Sequence, residues 1–231
     1  MAEKIWRNEI KYICSQAELV HIEHSIRNIC RLDSHAGENG KYLVRSLYFD
    51  DYHDNCLREN EDGVDPRKKF RIRIYNGNKE RIMLECKHKR RGMTHKDSCE
   101  ITEKECSGLI NGAHLQFHSG QDNLLQQFGT EAACKMLLPK VIVQYERTAY
   151  VYPVGNVRIT FDRNISMSGR ITEFLHPSLR MCPVMPESYH ILEVKYDELL
   201  PNFIYNALQV SDLRQTSFSK YYISRKMLMR F

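Results

Sequence analysis

At 231 residues, with 42% hydrophobic and 27% charged residues, the chain is long enough to bury a sizeable core and has the composition of an ordinary globular domain. Its 34 Lys and Arg stand against 29 Asp and Glu, a formal charge of +5, so any anion-binding role has to come from where the cations sit. Eight scattered cysteines without C-x-x-C spacing argue against a disulfide framework or a zinc site, and no apolar stretch approaches the ~18 residues of a membrane span.

The first segment, MAEKIWRNEIKY, does not read as a signal peptide, so a cytoplasmic setting is expected. A first strand covers 5–13. Ser15-Gln-Ala-Glu18 forms a capping-box pattern, and Leu19, Ile22, Ile26 and Ile29 follow at helical spacing, which predicts a helix over 16–31. LVRSLYFD (43–50) reads as a strand and 51–60 as a short helix or turn. Strands at 68–75 and 80–89 are joined by Asn76-Gly77-Asn78, a hairpin signal, and a weaker strand covers 97–102. Helical stretches at 103–112 and 121–137 precede Pro139, and strands follow at 140–152, 156–163 and 189–197. The end of the chain, 202–210 and 217–230, reads as helical, with Ser217 or Ser219 as the cap. No repeat or linker divides the chain. The pattern predicts one α+β domain over 1–231, with about eight antiparallel strands able to close as a β-barrel and with helices as insertions and ends.

KFRIRIY (69–75) alternates Lys69, Arg71 and Arg73 with Phe70, Ile72 and Ile74, so an extended strand puts three cations on one face and three apolar residues on the other. For one strand a solvated outer face explains this as well as an enclosed one. The pattern recurs, however. Arg7, Glu9 and Lys11 share a face of the first strand. Arg81, Glu85, Lys87 and Lys89 share one face after the turn, with Met83 among them. Tyr145 and Arg147, then Arg158, Thr160 and Asp162, then Glu193 and Lys195 follow on later strands. Six polar faces drawn almost entirely from Arg, Lys and Glu suggest a charged interior. Such an interior requires water, paired charges or a bound polyvalent ion. Cations outnumber acids there, and phosphate chains fit the excess, since Arg binds phosphate oxygens as a fork and Lys adds point charge. The few glutamates suit a divalent cation bridging to phosphate.

These segments resemble the triphosphate tunnel metalloenzyme superfamily and, within it, the VTC domain of polyphosphate polymerases. The resemblance runs in order through RNEIKY (7–12), SLYFDD (46–51), KFRIRIY (69–75), LECKHK (84–89), QYERTAY (144–150), VRITFDRNI (157–165), ILEVKYDELLP (191–201) and SKY (219–221), and so spans almost the whole chain. The CYTH branch begins E-x-E-x-K. This chain has Arg7-x-Glu9-x-Lys11, which favours the VTC branch and speaks against a CYTH-type pair of acids on that strand.

The resemblance implies a barrel enclosing a tunnel. It implies that Lys11, Arg71, Arg73, Lys87, Arg147 and Arg158 bind the phosphates of the nucleotide and the growing chain, with Lys220 reaching in from one end. It also implies that Glu193 is the main ligand for Mn²⁺ or Mg²⁺, with Glu9 and Glu85 as helpers, and that Tyr145, Lys69, Lys89, Lys195 and Ser219 contact substrate. The expected activity is transfer of the ATP γ-phosphoryl group to inorganic polyphosphate; triphosphate hydrolysis or polyphosphate binding without turnover are the alternatives. Nucleic acid is not an expected partner, because the aromatics form no stacking stripe. A separate membrane partner is compatible with the family. Cys86 and Cys182 read as packed thiols, His88 as lying outside the barrel, and Arg225, Lys226 and Arg230 as a solvated helix face.

Overall fold

The computed structural model describes residues 5–37, 39–112, 122–209 and 213–230. β1 (Asn8–Ser15) runs directly into α1 (Gln16–Ile26). A reciprocal cap fixes that junction: the Ser15 hydroxyl accepts from the Glu18 amide while the Glu18 carboxylate accepts from the Ser15 amide. The helix is shorter than its apolar spacing suggests, because the chain turns after Ile26 so that β2 (Arg31–Leu32) can join the sheet. β3 (Tyr42–Asp50), α2 (Asn55–Glu61), β4 (Arg67–Tyr75), β5 (Asn78–Arg90) and β6 (Met93–Ile101) follow. The β4–β5 turn uses Asn76 and Gly77, both at positive φ (52° and 68°), the backbone that a tight hairpin of this hand demands. β6 begins four residues earlier than its sequence suggests.

After α3 (Glu103–Ile110) and α4 (Asn123–Lys135) come β7 (Leu138–Tyr152), β8 (Val157–Ser168), β9 (Cys182–Pro183) and β10 (Tyr189–Tyr196). α5 (Asn202–Leu208) and α6 (Lys220–Leu228) complete the chain, and Ser219 is the α6 cap, its hydroxyl accepting from the Tyr222 amide. The helical stretches expected to begin at 121 and to end at 210 reach residues outside those described.

Eight strands form one antiparallel sheet in the order β1-β10-β8-β7-β3-β4-β5-β6, with β2 paired to β7 and β9 to β8. The sheet curls until its two edges meet at one point, where the amides of Arg7 and Thr94 donate to each other's carbonyls at 2.9 and 2.8 Å. Among the described residues the barrel is therefore a curled sheet sealed by one bridge, without a full ladder along the seam. Beyond that bridge a side chain spans the gap, with the Lys87 ammonium donating to both oxygens of Glu9 at 2.7 and 2.6 Å.

The convex faces are apolar and carry the helices. Ile72, Ile74, Leu84 and Leu47 pack beneath α3 and α4 with Leu109, Leu125 and Phe128. Ile159, Phe161, Leu192 and Val194 pack beneath α1 and α5 with Leu19, Ile22, Ile26 and Ile204. Each such fully buried side chain contributes roughly 1.5–3 kcal/mol of transfer free energy. This external packing frees the concave face from supplying the core. One end of the concave face is nonetheless apolar, where Val141, Val143 and Tyr48 meet Phe218 and Tyr221 at the start of α6.

Candidate functional site: a cation-lined tunnel

Around the concave face the cross-strand pairs are almost continuously polar. Lys11 on β1 faces Glu193 on β10, and Glu9 faces Lys195. Glu193 in turn faces Thr160, and Lys195 faces Arg158, on β8. Asp162 faces Arg147 on β7, which faces Tyr42 on β3. Ser46 and Tyr48 face Arg73 and Arg71 on β4; Arg71 faces Glu85 on β5, and Lys69 faces Lys87. Glu85 and Lys87 face Ser98 and Lys96 on β6. Strand alternation thus places a cation or acid from seven strands on one enclosed surface.

That surface bounds a cavity of about 1340 Å³, lined by every residue to which the resemblance gives a role: Glu9, Lys11, Lys69, Arg71, Arg73, Glu85, Lys87, Lys89, Tyr145, Arg147, Arg158, Glu193, Lys195, Ser219 and Lys220; Thr160 and Asp162, on the same strand face as Arg158, do not line it. The charges sort into three groups. Glu9 accepts from Lys87 and is paired with Lys11 at 2.9 Å and Lys195 at 3.5 Å, while Glu193 shares the same two lysines at 3.7 and 2.9 Å. Glu85 is paired with Arg71 at 2.7 Å, Lys96 at 2.6 Å and Arg73 at 3.6 Å. Asp162, fully buried, takes Arg147 through both oxygens at 2.6 and 2.8 Å and Lys220 at 2.6 Å.

The Arg147 guanidinium (5.1 Å) and the Lys220 ammonium (4.9 Å) both lie over the Tyr145 ring, whose hydroxyl accepts from Arg73 at 3.2 Å. Lys11 also donates to the Phe218 carbonyl at 3.1 Å, tying the segment before α6 to the tunnel wall. Arg158 stands apart from these groups, paired with Asp33 and donating to the Tyr42 hydroxyl.

Titration follows these contacts. Burial opposes ionisation of Glu9, Glu193, Glu85 and Asp162, yet the surrounding cations hold all four below the usual carboxylate range. Burial likewise opposes the charge on Lys11, but Glu9 and Glu193 raise it. Burial brings Lys69 down to about 8, with repulsion from Arg67 and Lys11 adding to it, and brings Lys87 down to about 7, where the pull of Glu9 is opposed by Lys11 and Lys195. The interior is therefore a set of ionised acids embedded in a larger set of basic groups, of which Lys87 and Lys69 give up their charge most readily.

Sequence reading missed several contributors. Lys96 escaped because the early start of β6 is not marked by apolar alternation. Asp33 and Tyr42 reach Arg158 from a loop and a strand end, where no periodicity applies. Asp162 was placed on the inward face, but its role as the shared partner of Arg147 and Lys220 depends on α6 packing back onto the sheet. Two readings are corrected. Arg225 is no part of a solvated face: it is 8% exposed and donates to Asp54 at 2.8 Å where α6 packs on α2. Cys182 is exposed in the two-residue β9, whereas Cys86 is buried as expected. His88 lies outside the tunnel, 3.0 Å from Asp97.

Among the described residues no three His, Cys, Asp or Glu side chains converge as a metal ligand set. The donors that do fit a hard divalent cation are Glu9 and Glu193, two ionised carboxylates bridged by shared lysines. Mg²⁺-type sites typically use one or two carboxylates and take their other ligands from substrate phosphates and water. Glu85, also ionised, lies in the separate cluster with Arg71, Arg73 and Lys96.

The described residues contain no helix long and apolar enough to cross a membrane. No curated protein sequence matches the chain. Among solved structures, HpAC1 from Hippeastrum, described as an adenylyl cyclase candidate with a dominant triphosphatase activity, is 14% identical with a TM-score of 0.52, the likeness covering 96% of each chain. The PH1819 protein of Pyrococcus horikoshii is also 14% identical, with a TM-score of 0.48 over 97% of this chain and 99% of the other. At such identity the likeness to HpAC1 speaks for the fold alone, and it agrees with the curled antiparallel sheet. The sequence itself matches the VTC domain over residues 6–229, and with the eight inward-facing segments in their family order the chain belongs to the VTC domain family.

Proposed function

We propose that the protein is a metal-dependent polyphosphate polymerase that transfers the γ-phosphoryl group of ATP to the end of a polyphosphate chain inside the tunnel. The observation that carries this reading is the enclosed ring of cations from seven strands around Glu9 and Glu193. In this reading a terminal phosphate oxygen of the chain forms the new bond to the γ-phosphorus as the bond to the β–γ bridging oxygen breaks, and that oxygen leaves with ADP. Phosphoryl transfer asks the protein chiefly for in-line placement and charge neutralisation. Arg71 and Arg73 on one wall and Arg147 on another would grip phosphate oxygens as forks, with Lys11, Lys87, Lys195 and Lys220 adding point charge. The attacking oxygen is already ionised near neutral pH, so no general base is required.

Glu9 and Glu193 would hold Mn²⁺ or Mg²⁺, which when bound neutralises charge on the phosphate oxygens. Glu85 and Asp162 serve instead as fixed counter-charges that aim Arg71, Arg73, Arg147 and Lys220 while the tunnel is empty of phosphate. The same cavity with water as the attacking group gives a triphosphatase, the activity described for HpAC1.

The deciding experiment incubates purified protein with ATP and Mn²⁺ or Mg²⁺, with and without a short polyphosphate primer, beside Glu193→Gln and Arg71→Ala. The expected result is long polyphosphate from the wild type and none from either variant. Release of phosphate alone would replace the polymerase by a triphosphatase.

A further inference from the structure

The tunnel's cations are not all balanced in the same way. Through its middle, each of Arg71, Arg73, Lys87, Lys195, Arg147 and Lys220 has a carboxylate partner. Where β4 begins and β5 ends, that pattern stops. Among the described residues no carboxylate lies within ion-pair distance of Arg67, Lys69, Lys89 or Arg90. Arg67 donates instead to the carbonyls of Glu59 and Val64 at 3.2 and 3.1 Å. Lys69 donates to the Asn60 side-chain oxygen at 2.8 Å and sits 5.0 Å over the Tyr221 ring.

The register makes this arrangement costlier. Arg67 stands directly opposite Lys89, and Lys69 directly opposite Lys87. Like charges facing each other across a ladder destabilise a sheet, and half-buried cations without a counter-charge cost more still. Burial and the neighbouring Arg67 both work against the charge on Lys89, as they do at Lys69. A fold that keeps such a cluster has a use for an anion there.

The cluster also leads outward. A second cavity, of about 810 Å³, lies on the outer side of the same strand ends, and Arg67, Lys68 and Lys89 line both cavities. Arg90 and Lys135 line only the outer one, where Glu131 pairs with Lys68 and with Lys135, leaving Arg67, Lys89 and Arg90 as the cations there without a carboxylate among the described residues. Cations two residues apart on a strand are ~7 Å apart, which suits a ligand charged along its whole length.

We propose that this end of the tunnel and the groove beside it form an extension site for polyphosphate, in which Arg67, Lys69, Lys89 and Arg90 hold the part of a chain too long for the tunnel. The proposal rests on the reading of the tunnel as a phosphate-chain site. It gives the tunnel a direction: the chain leaves over the β4–β5 end, and the protein binds long chains more tightly than short ones.

The test is titration calorimetry of the whole chain with tripolyphosphate and with a long polyphosphate of defined length. It compares the wild type with Arg67→Gln/Arg90→Ala and with the outer-groove variant Arg90→Ala/Lys135→Ala. The expected result is roughly a tenfold loss of affinity for the long chain in the first variant, a smaller loss in the second, and unchanged tripolyphosphate binding in both. Unchanged tripolyphosphate binding also reports that the variants fold. Equal losses for both ligands, or no loss for the long one, would overturn the extension site. So would an RNA oligonucleotide that binds the wild type as tightly as polyphosphate of equal charge and loses as much in the variants. Failure of tripolyphosphate to bind the wild type would instead sink the tunnel reading, leaving the length-dependent losses to be judged by themselves.

Discussion

Replacing Asp162 with Asn removes one charge and almost no volume from the wall of the tunnel, which isolates what that charge does. The carboxylate is fully buried and is the shared partner of Arg147 and Lys220. Its loss leaves two largely buried cations uncompensated beside Tyr145. Breaking a buried pair by removing one partner costs about 3–5 kcal/mol. For a chain of this length each kcal/mol moves the melting temperature by about 2–4 °C, so the variant is expected to melt about 6–20 °C below the wild type. Tripolyphosphate should recover much of the loss, because the ligand supplies the negative charge that Asp162 supplied, and its stabilising effect should exceed that on the wild type. The pH dependence has a definite sign. A carboxyl whose pKa is lowered on folding contributes stability that is fully present above its unfolded value of ~4 and is lost as pH falls through the folded value. The deficit of the variant should therefore shrink in acid. Thermal unfolding with and without tripolyphosphate reads all three effects. A melting temperature within ~2 °C of the wild type, a small fraction of the shift worked above, would refute the assignment of Asp162 as the counter-charge.

Lys69 gives a second pH signature: burial brings it down to about 8, and a bound anion favours its charged form. Affinity for long polyphosphate at matched ionic strength should fall as pH rises from 7 to 9, first through Lys87, which burial brings to about 7, and then through Lys69; Lys69→Arg, which stays charged, should flatten the fall between pH 8 and 9, and an equally steep fall there would contradict this. Arg225→Ala should loosen α6 by about 1–3 kcal/mol, since it leaves Asp54 with Lys140 alone. Hydrogen exchange would then rise in α6 and α2 while the α1 amides stay protected, and unchanged protection of α6 would count against the latch. Brief alkylation followed by mass spectrometry should mark Cys134 and Cys182 first, because both are exposed. Cys14, Cys99 and Cys106 are buried and pushed up to about 12, and should react only on unfolding.

Much of the concave face was legible because strand periodicity is strict. Once Lys69, Arg71 and Arg73 alternate with Phe70, Ile72 and Ile74, the side on which each lies is fixed by the pleat, and β4 follows that rule through to Tyr75. The capping box at Ser15 and the Asn76-Gly77 turn are equally local and were readable for the same reason. What periodicity does not carry is partner choice. The resemblance names Glu85 as a metal helper, and nothing in its own segment shows that the β4 and β6 registers surround it with Arg71, Arg73 and Lys96. Arg225 looked solvated because its neighbours in sequence are polar, whereas its burial comes from α2, more than 160 residues earlier. The single-point closure at Arg7 and Thr94 is a property of sheet curl, which no one segment encodes.

The central claim is that the inward cations and the Glu9–Glu193 pair receive a metal-bound phosphate chain. A crystal structure with tripolyphosphate and Mn²⁺, using the anomalous signal of the metal, tests it most directly. The account predicts phosphates along the cavity in contact with Arg71, Arg73 and Arg147, and manganese bound by Glu193 with Glu9 beside it. Phosphate held only on the outer surface, or manganese bound away from both carboxylates, would contradict it.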